Sequence, residues 1–311
     1  MAELILHHYP NSPFAEKVRL MLGHKGLPWR SVFIPMIMPK PDLTALTGGY
    51  RKTPVLQIGA DVYCDTALIA EVLEHLAPEP TLYPQAVRGV ARIVAQWADS
   101  ALFPVAMAWN FQPEGVAQVF AGASPEQIQA FVADRAAMRG GAPRMAAQDA
   151  AATYRSDLRR LSSMLHGQDF LLGAQPCVAD FAAYHPLWFT AERVPALAHI
   201  LDATPDVKAW MARMKAIGHG QFSPMKPAEA LAIAETAEPA ALADETFQDE
   251  HGIALGSRAT VAADNFGTEA TKGVLVAATR TRYTLRRTDA RLGTVHVHFP
   301  RMGFTLKKVE S

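Results

Sequence analysis

Apolar residues first appear as a short run, Leu4-Ile5-Leu6, closed at Tyr9-Pro10, which predicts a buried strand. The spacing then changes. Phe14, Val18, Met21 and Leu22 recur at helical intervals from Phe14 to Lys25, and Gly26 stands where a helix stop belongs. Trp29 to Ile34 predicts a second strand closed by Pro35, and Pro54 to Ile58 a third. Between them is a loop or short helix holding Lys40, Pro41 and Gly48-Gly49. Gly59-Ala60-Asp61 makes a tight turn into Val62-Tyr63-Cys64, and Thr66 to Leu76 reads as an amphipathic helix. This order predicts a compact α/β unit with a mixed sheet over residues 1–82.

Residues 85–220 carry no strand pattern. Ala-rich helical segments run from Val87 to Trp109, Pro125 to Met138, Ala146 to Leu165, Val178 to Phe189 and Pro205 to Ile217, punctuated by glycines. An all-helical domain is expected. From Glu229 to Glu250 there are seven acids and no Lys or Arg, so 221–251 reads as an acidic, partly helical, solvated linker. Asp244 and Asp249 belong to that run. Beyond Gly252 the pattern turns strand-like, with short runs at 259–261, 274–276, 281–285, 293–299 and 304–309. Residues 252–311 are therefore expected to form a small β-rich barrel or sandwich.

Composition narrows the class. The chain has 311 residues, half of them hydrophobic and 19% charged, which fits a globular protein of two or three domains. Thirty basic side chains balance thirty acidic ones, so no general attraction to nucleic acid or anionic membrane is expected. Cys64 and Cys177 alone supply neither a disulfide framework nor a four-thiolate metal site. The first residues lack the charged-then-apolar pattern of a secretory signal, and no apolar stretch is long enough for a membrane span. A cytoplasmic location is expected.

The candidate chemistry starts at Asn11-Ser12-Pro13. Ser12 sits at a strand-to-helix junction with Pro13 as the first helical residue, which makes it a natural N-cap. A hydroxyl beside free N–H groups at a positive helix end can also stabilise a thiolate. Thr53-Pro54-Val55 opens a strand where a cis-proline would expose a backbone edge to an extended peptide. Asp65-Thr66 begins the next helix, where a carboxylate and a hydroxyl could receive an amino acid's ammonium and carboxylate.

Taken together these stretches resemble the glutathione transferase family. The matching residues are Ser12-Pro13-Phe14-Ala15-x-Lys17-Val18-Arg19, Lys52-Thr53-Pro54-Val55-Leu56, Asp65-Thr66-Ala67-Leu68-Ile69 and Gly173-x-x-x-Cys177-Val178-Ala179-Asp180. The resemblance covers residues 3 to about 218 and implies a thioredoxin-like domain followed by a helical one. It implies glutathione as co-substrate, a small electrophilic substrate, a detoxification role, no metal and a homodimer. It gives Ser12 the catalytic role of hydrogen-bonding the glutathione sulfur. Val55, after the cis-proline Pro54, would pair with the cysteinyl backbone, and Asp65 and Thr66 would hold the γ-glutamyl end. Lys40 is set near the glycyl carboxylate, and Phe14, Lys52 and Thr53 fall within the matched glutathione-binding motifs.

The departures are informative. Related thiol oxidoreductases carry Cys where Ser12 stands, and dithiol forms carry a second at Ala15, so a dithiol redox cycle is not expected. The usual Glu-Ser pair is here Asp65-Thr66, and the helix cap that ordinarily starts with Ser or Thr starts with Cys177, a weak acceptor. His296 and His298 face one side of a strand, but spacing alone identifies no further metal ligand. Cys64 and the aromatics Trp97, Phe103, Trp109, Phe111 and Tyr154 read chiefly as core. Residues 280–311 hold eight Lys or Arg against Asp289 and Glu310. That excess reads as a polar outer face, docked on the acidic linker. The alternative to catalysis is a non-catalytic transferase-like scaffold that uses its basic β-rich end to contact a partner.

Overall fold

The computed structural model describes residues 3–143, 145–242, 245–248 and 250–309. Strand β1 (Leu4–His8), helix α1 (Pro13–His24), β2 (Trp29–Phe33), α2 (Pro41–Thr47), β3 (Val55–Ile58), β4 (Asp61–Cys64) and α3 (Thr66–Leu76) form the first unit, within a residue or two of the sequence expectation. All five residues of β1 are buried, as befits a strand covered on both faces. It pairs in parallel with β2 and antiparallel with β3, and β3 turns back into β4.

The helical domain comprises α4 (Arg88–Trp97), α5 (Phe103–Asn110), α6 (Pro113–Val119), α7 (Pro125–Arg139), α8 (Ala147–Met164), α9 (Val178–Trp188) and α10 (Pro205–Ile217). The single helix expected over 87–109 divides at a wider π turn, Ala98–Leu102. Pro104 has no N–H for the Ser100 carbonyl, so the regular ladder fails there. Asp180 rescues the weak Cys177 cap. Its carboxylate accepts from the N–H of Cys177 at 2.9 Å, from the N–H of Leu171 at 2.8 Å and from the Trp210 indole at 2.9 Å.

A short strand unannounced by any pattern, β5 (Phe222–Pro224), then pairs in parallel with β2. Helix α11 (Pro227–Thr236) occupies the front of the acidic stretch and buries Ala230, Leu231 and Ala234, so that part is packed rather than solvated. The β-rich region is present as β6 (Arg258–Ala263), β7 (Thr271–Ala278), β8 (Arg282–Asp289), β9 (Gly293–Pro300) and β10 (Phe304–Lys308). It does not close on itself as a separate barrel or sandwich. Instead β9 lies parallel to β4, with Asp61 beside His296 and Tyr63 beside His298, and the strands run as one sheet in the order β10-β6-β7-β8-β9-β4-β3-β1-β2-β5.

The two halves share a core: Leu46, Tyr50, Val55 and Val62 pack in one cluster with Leu285, Val297 and Phe299. Four arginines of the C-terminal region tie it to the acidic linker and to α2. Arg282 pairs with Glu245 at 2.8 Å and Arg301 with Glu250 at 2.5 Å, while Arg291 pairs with Asp42 at 2.5 Å. Arg287 donates to the carbonyls of Ala45 and Leu46 at the end of α2. Asp244, Asp249 and Glu310 lie outside the described residues. Among the described residues, no helix is long and apolar enough to cross a membrane.

Candidate active site

Strand directions bring the motifs to one end of the sheet. β1 ends at His8, four residues before Ser12, β3 begins at Val55 opposite His7, and β4 ends at Cys64 opposite Val55, immediately before Asp65. The N-termini of α1 and α3 therefore point to the same place, and their unpaired N–H groups make it electropositive.

Ser12 caps α1 in extended backbone geometry, and its Oγ accepts from the Ala15 N–H at 3.2 Å. The lone pair is used inward, leaving the hydroxyl proton for donation to an anion at the helix end. The side chain is enclosed, with Ser12 only 2% exposed. The Thr53–Pro54 bond is cis, and Val55 is fully buried behind it. Asp65 caps α3, with Oδ1 accepting from the Ala67 N–H at 2.9 Å. Among the described residues Asp65 is the one non-glycine with positive φ, at 79° with ψ 137°, a region that ordinary side chains avoid. Burial pushes its carboxyl pKa up, opposed by the Ala67 N–H and by Lys52 and Lys17. An arriving ammonium would favour the ionised form.

Beneath Thr66 runs a network that sequence reading did not assign. Lys17, 1% exposed, donates to Thr66 Oγ1 at 3.1 Å and to Asp99 Oδ2 at 2.6 Å. Asp99 Oδ1 lies 3.0 Å from His185 Nε2, and the His185 ring packs on Phe14 with ring centres 4.5 Å apart. Phe103 completes that aromatic corner at 4.6 Å from Phe14. The signal available in sequence was a charge at position 17 on the apolar face of the first helix. Nothing local marks Asp99 or His185 as its partners.

The expected lysines divide. Lys40 is buried, with its ammonium on the Arg51 carbonyl at 3.2 Å and the Thr53 hydroxyl at 3.4 Å, and burial lowers its pKa to about 8. It braces the loop that carries Thr53. Lys52 is half-buried, and its ammonium lies 5.6 Å from the Phe304 ring centre, with Asp65, Asp264 and Glu269 the carboxylates that act on it. The chain between β6 and β7 thus borders the site. Glu269 also pairs with Arg51 at 2.7 Å, Gly267 donates to the Met138 carbonyl at 2.8 Å, and Thr271 donates to the Thr47 carbonyl at 2.8 Å. Of two surface concavities of about 340 and 430 Å³, the second is lined in part by Lys40, and neither is lined by Ser12, Asp65 or Thr66. Cys64 and Cys177 are unpaired and buried, and burial raises both thiols, Cys177 to about 12. Tyr154 is core, its hydroxyl 2.9 Å from Thr190 Oγ1.

Residues 6–81 match the model of the glutathione S-transferase N-terminal domain, and residues 143–217 match that of the C-terminal domain. A crystal structure of a GST-like protein from Pseudomonas syringae is 48% identical, covers 99% of this chain and 100% of its own, and superposes with a TM-score of 0.82. The chain is thus similar to it from end to end, C-terminal strands included. A glutathione S-transferase from Rhodospirillum rubrum F11 shares the fold at 24% identity over 68% of this chain and 88% of its own, with a TM-score of 0.50. Among curated proteins, FtsZ-localized protein A of Caulobacter vibrioides is 28% identical over 191 residues, 58% of this chain and 74% of its own. Motifs, topology and relatives agree: the chain belongs to the glutathione S-transferase family.

Proposed function

We propose that the protein binds glutathione at the sheet end formed by Ser12, Val55 and Asp65-Thr66 and activates its thiol for attack on a small electrophile. The observation that supports this reading is the Ser12 hydroxyl, which caps α1 while keeping its proton for an anion. A free thiol has a pKa of about 8.5, so about 3% is thiolate at pH 7. Lowering it by about two units requires about 2.7 kcal/mol and raises that fraction to about three quarters. One hydrogen bond to a charged group supplies about 1.5–3 kcal/mol, and a helix N-terminus about 0.3–1 more. Ser12 and α1 together are sufficient. In this reading Val55 pairs with the cysteinyl backbone, Asp65 takes the ammonium, Thr66 the α-carboxylate, and Lys52 the glycyl end, with Thr53, Lys40, Pro54 and Phe14 shaping the walls.

The ultraviolet absorbance of bound glutathione thiolate, titrated with pH, tests it. The wild type should show a lowered thiol pKa. Ser12→Ala should return it toward about 8.5, with about 25-fold less thiolate at pH 7. No binding, or an unshifted thiol in the wild type, overturns the reading.

A second reading draws on the relative named FtsZ-localized protein A, a name that gives a location with another protein. On that reading this scaffold is a non-catalytic adaptor. Of the eight basic side chains at that end, Arg282, Arg287, Arg291 and Arg301 are engaged within the chain, which leaves the exposed Arg280, Arg286, Lys307 and Lys308 to carry such a contact. A homodimer belongs to either reading. Val90 and Ile93, 52% and 68% exposed on α4, are the large apolar side chains a second copy would cover, which light scattering of V90E/I93E against wild type would decide.

A further inference from the structure

The seam between the two halves of the sheet carries side chains that neither docking nor thiol chemistry accounts for. His296 and His298 alternate onto the same face of β9, and the parallel pairing places Asp61 of β4 beside His296 on that face. One donor atom from each of Asp61, His296 and His298 lies within 4.8 Å of the others. Asp61 Oδ1 is 2.8 Å from His298 Nε2 and 3.8 Å from His296 Nδ1. Asp61 and His298 are enclosed, while His296 keeps 12% of its side chain exposed and leaves a way in.

Three features set this trio apart from an ordinary polar seam. His296 Nδ1 is shielded from solvent and has no hydrogen-bond partner, so a lone pair or a proton is left unmatched at the centre of the cluster. The outer atoms are already oriented. Asp61 Oδ2 accepts the Ala240 N–H at 2.8 Å, leaving Oδ1 for a single bond inward, and His298 Nδ1 lies 3.0 Å from Thr284 Oγ1, leaving Nε2 inward. A hydroxyl donates or accepts, so Thr284 serves either tautomer of His298. Finally, the ligand atoms stand on paired strands, and Tyr63 stacks on His298 with ring centres 4.6 Å apart and planes 12° from parallel.

We propose that Asp61, His296 and His298 form a divalent-metal site of the zinc type that clamps the C-terminal strands to the thioredoxin-like sheet. Two imidazoles and one carboxylate suit a first-row cation such as Zn²⁺ and not the hard, oxygen-seeking Mg²⁺ or Ca²⁺. Metal bonds of about 2.0–2.2 Å at tetrahedral angles set neighbouring ligands about 3.3–3.6 Å apart. The 2.8 Å contact opens and the 3.8 Å one closes to meet that, and the two imidazole nitrogens, within 4.8 Å of each other, draw together by rotation of the exposed-edge His296 ring. The protein ligands supply three positions, and a fourth falls to water. Arg286, opposite His296 in the ladder, and Arg282 are the cations facing the cluster; Glu245 already holds Arg282. They weaken the site electrostatically without occupying it.

Tag-free full-length protein, stripped with a chelator, is titrated with Zn²⁺ in competition with a chromophoric chelator. One ion per chain should bind, with a dissociation constant below about 1 μM, unmoved by millimolar Mg²⁺, and with a rise in the thermal midpoint. H296Q is the informative variant, because His296 Nδ1 has no partner to lose and the fold should stand without it. It should weaken binding by at least about 100-fold, since the loss of a supporting group alone costs about 10–100-fold. T284V should fall within that smaller range. Co²⁺ in place of Zn²⁺ should give a tetrahedral visible spectrum that H296Q abolishes. Absence of saturable Zn²⁺ binding by the wild type, or equal affinity in H296Q, overturns the proposal.

Discussion

Lys17 Nζ lies 2.6 Å from Asp99 Oδ2, an ion pair that joins the first helix of the thioredoxin-like unit to the π turn of the helical domain. The same ammonium reaches Thr66 Oγ1, so one cation sets both the domain contact and a hydroxyl of the candidate site. Burial alone would raise the Asp99 carboxyl, but Lys17 and His185 outweigh it and hold it below its ordinary value. Lys17→Met should lower stability by about 3–5 kcal/mol, because it leaves a largely enclosed carboxylate without its cation. In urea unfolding at pH 7 the loss should appear in full. It should shrink as pH falls and Asp99 of the folded variant, no longer held down by Lys17, takes up a proton more readily than in the wild type.

Asp65 couples a strained backbone to a side chain the proposed ligand needs. At φ 79° a non-glycine costs about 1–3 kcal/mol, whereas exchanging a capping side chain for glycine costs a few tenths. Asp65→Gly should therefore unfold at equal or higher denaturant while binding glutathione far more weakly. Asp65→Asn keeps the cap and the strain but not the charge, and should lose affinity at unchanged stability. A parallel fall of stability and affinity in Asp65→Gly would contradict this.

Acid sensitivity should begin well above the carboxylate range. Burial lowers His7 to about 4, against the pull of Gln57 and Asp42. Burial likewise lowers His8 to about 3; Arg19, His7 and His219 push the same way and Glu16 opposes them. Both folded values lie beneath the unfolded value of about 6.5, so the unfolded chain binds protons that the folded chain refuses. Their contribution is complete above about pH 6.5 and declines as pH falls, by about 1.4 kcal/mol per unit for each histidine down to its folded value. His7→Leu should flatten the dependence of the urea midpoint between pH 6.5 and 4.5. The slope is the reading, whatever the variant's absolute stability; equal slopes would refute the assignment.

Gly49 lets the C-terminal strands close on the site. A Cβ there would stand 2.6 Å from the Ala270 carbonyl, and its φ of 150° already disfavours other residues. Gly49→Ala should cost at least about 1–3 kcal/mol. Hydrogen exchange should quicken selectively at Gly267 and neighbouring amides, where the chain bridges to Met138.

The legible part of this protein was the part written locally. Ser12-Pro13, Thr53-Pro54 and Asp65-Thr66 each declare a turn, a cap or a strand start in two adjacent residues, and α3 and α10 fall at their expected ends. Pairings between distant segments left no such mark. His296 and His298 could be placed on one face, but their third partner is Asp61, 235 residues earlier, brought there by strand register alone. β5 was invisible because three exposed residues, one of them proline, carry no alternation. The acidic stretch read as solvated because charge dominates it, yet Leu231 and Ala234 give α11 a buried side.

The position of β9 also fixes the order in which the molecule can be completed. A ribosome releases β1 to β4 long before residues 296–298 exist, so the unpaired edge of β4 and the apolar residues beneath it wait until β9 has been made. Until then the nascent chain presents an open strand edge of the kind that pairs with neighbours. The finished sheet has moved its borders outward, to β10 with Lys307 and Lys308 and to β5 with Pro224, residues that discourage further strands from adding.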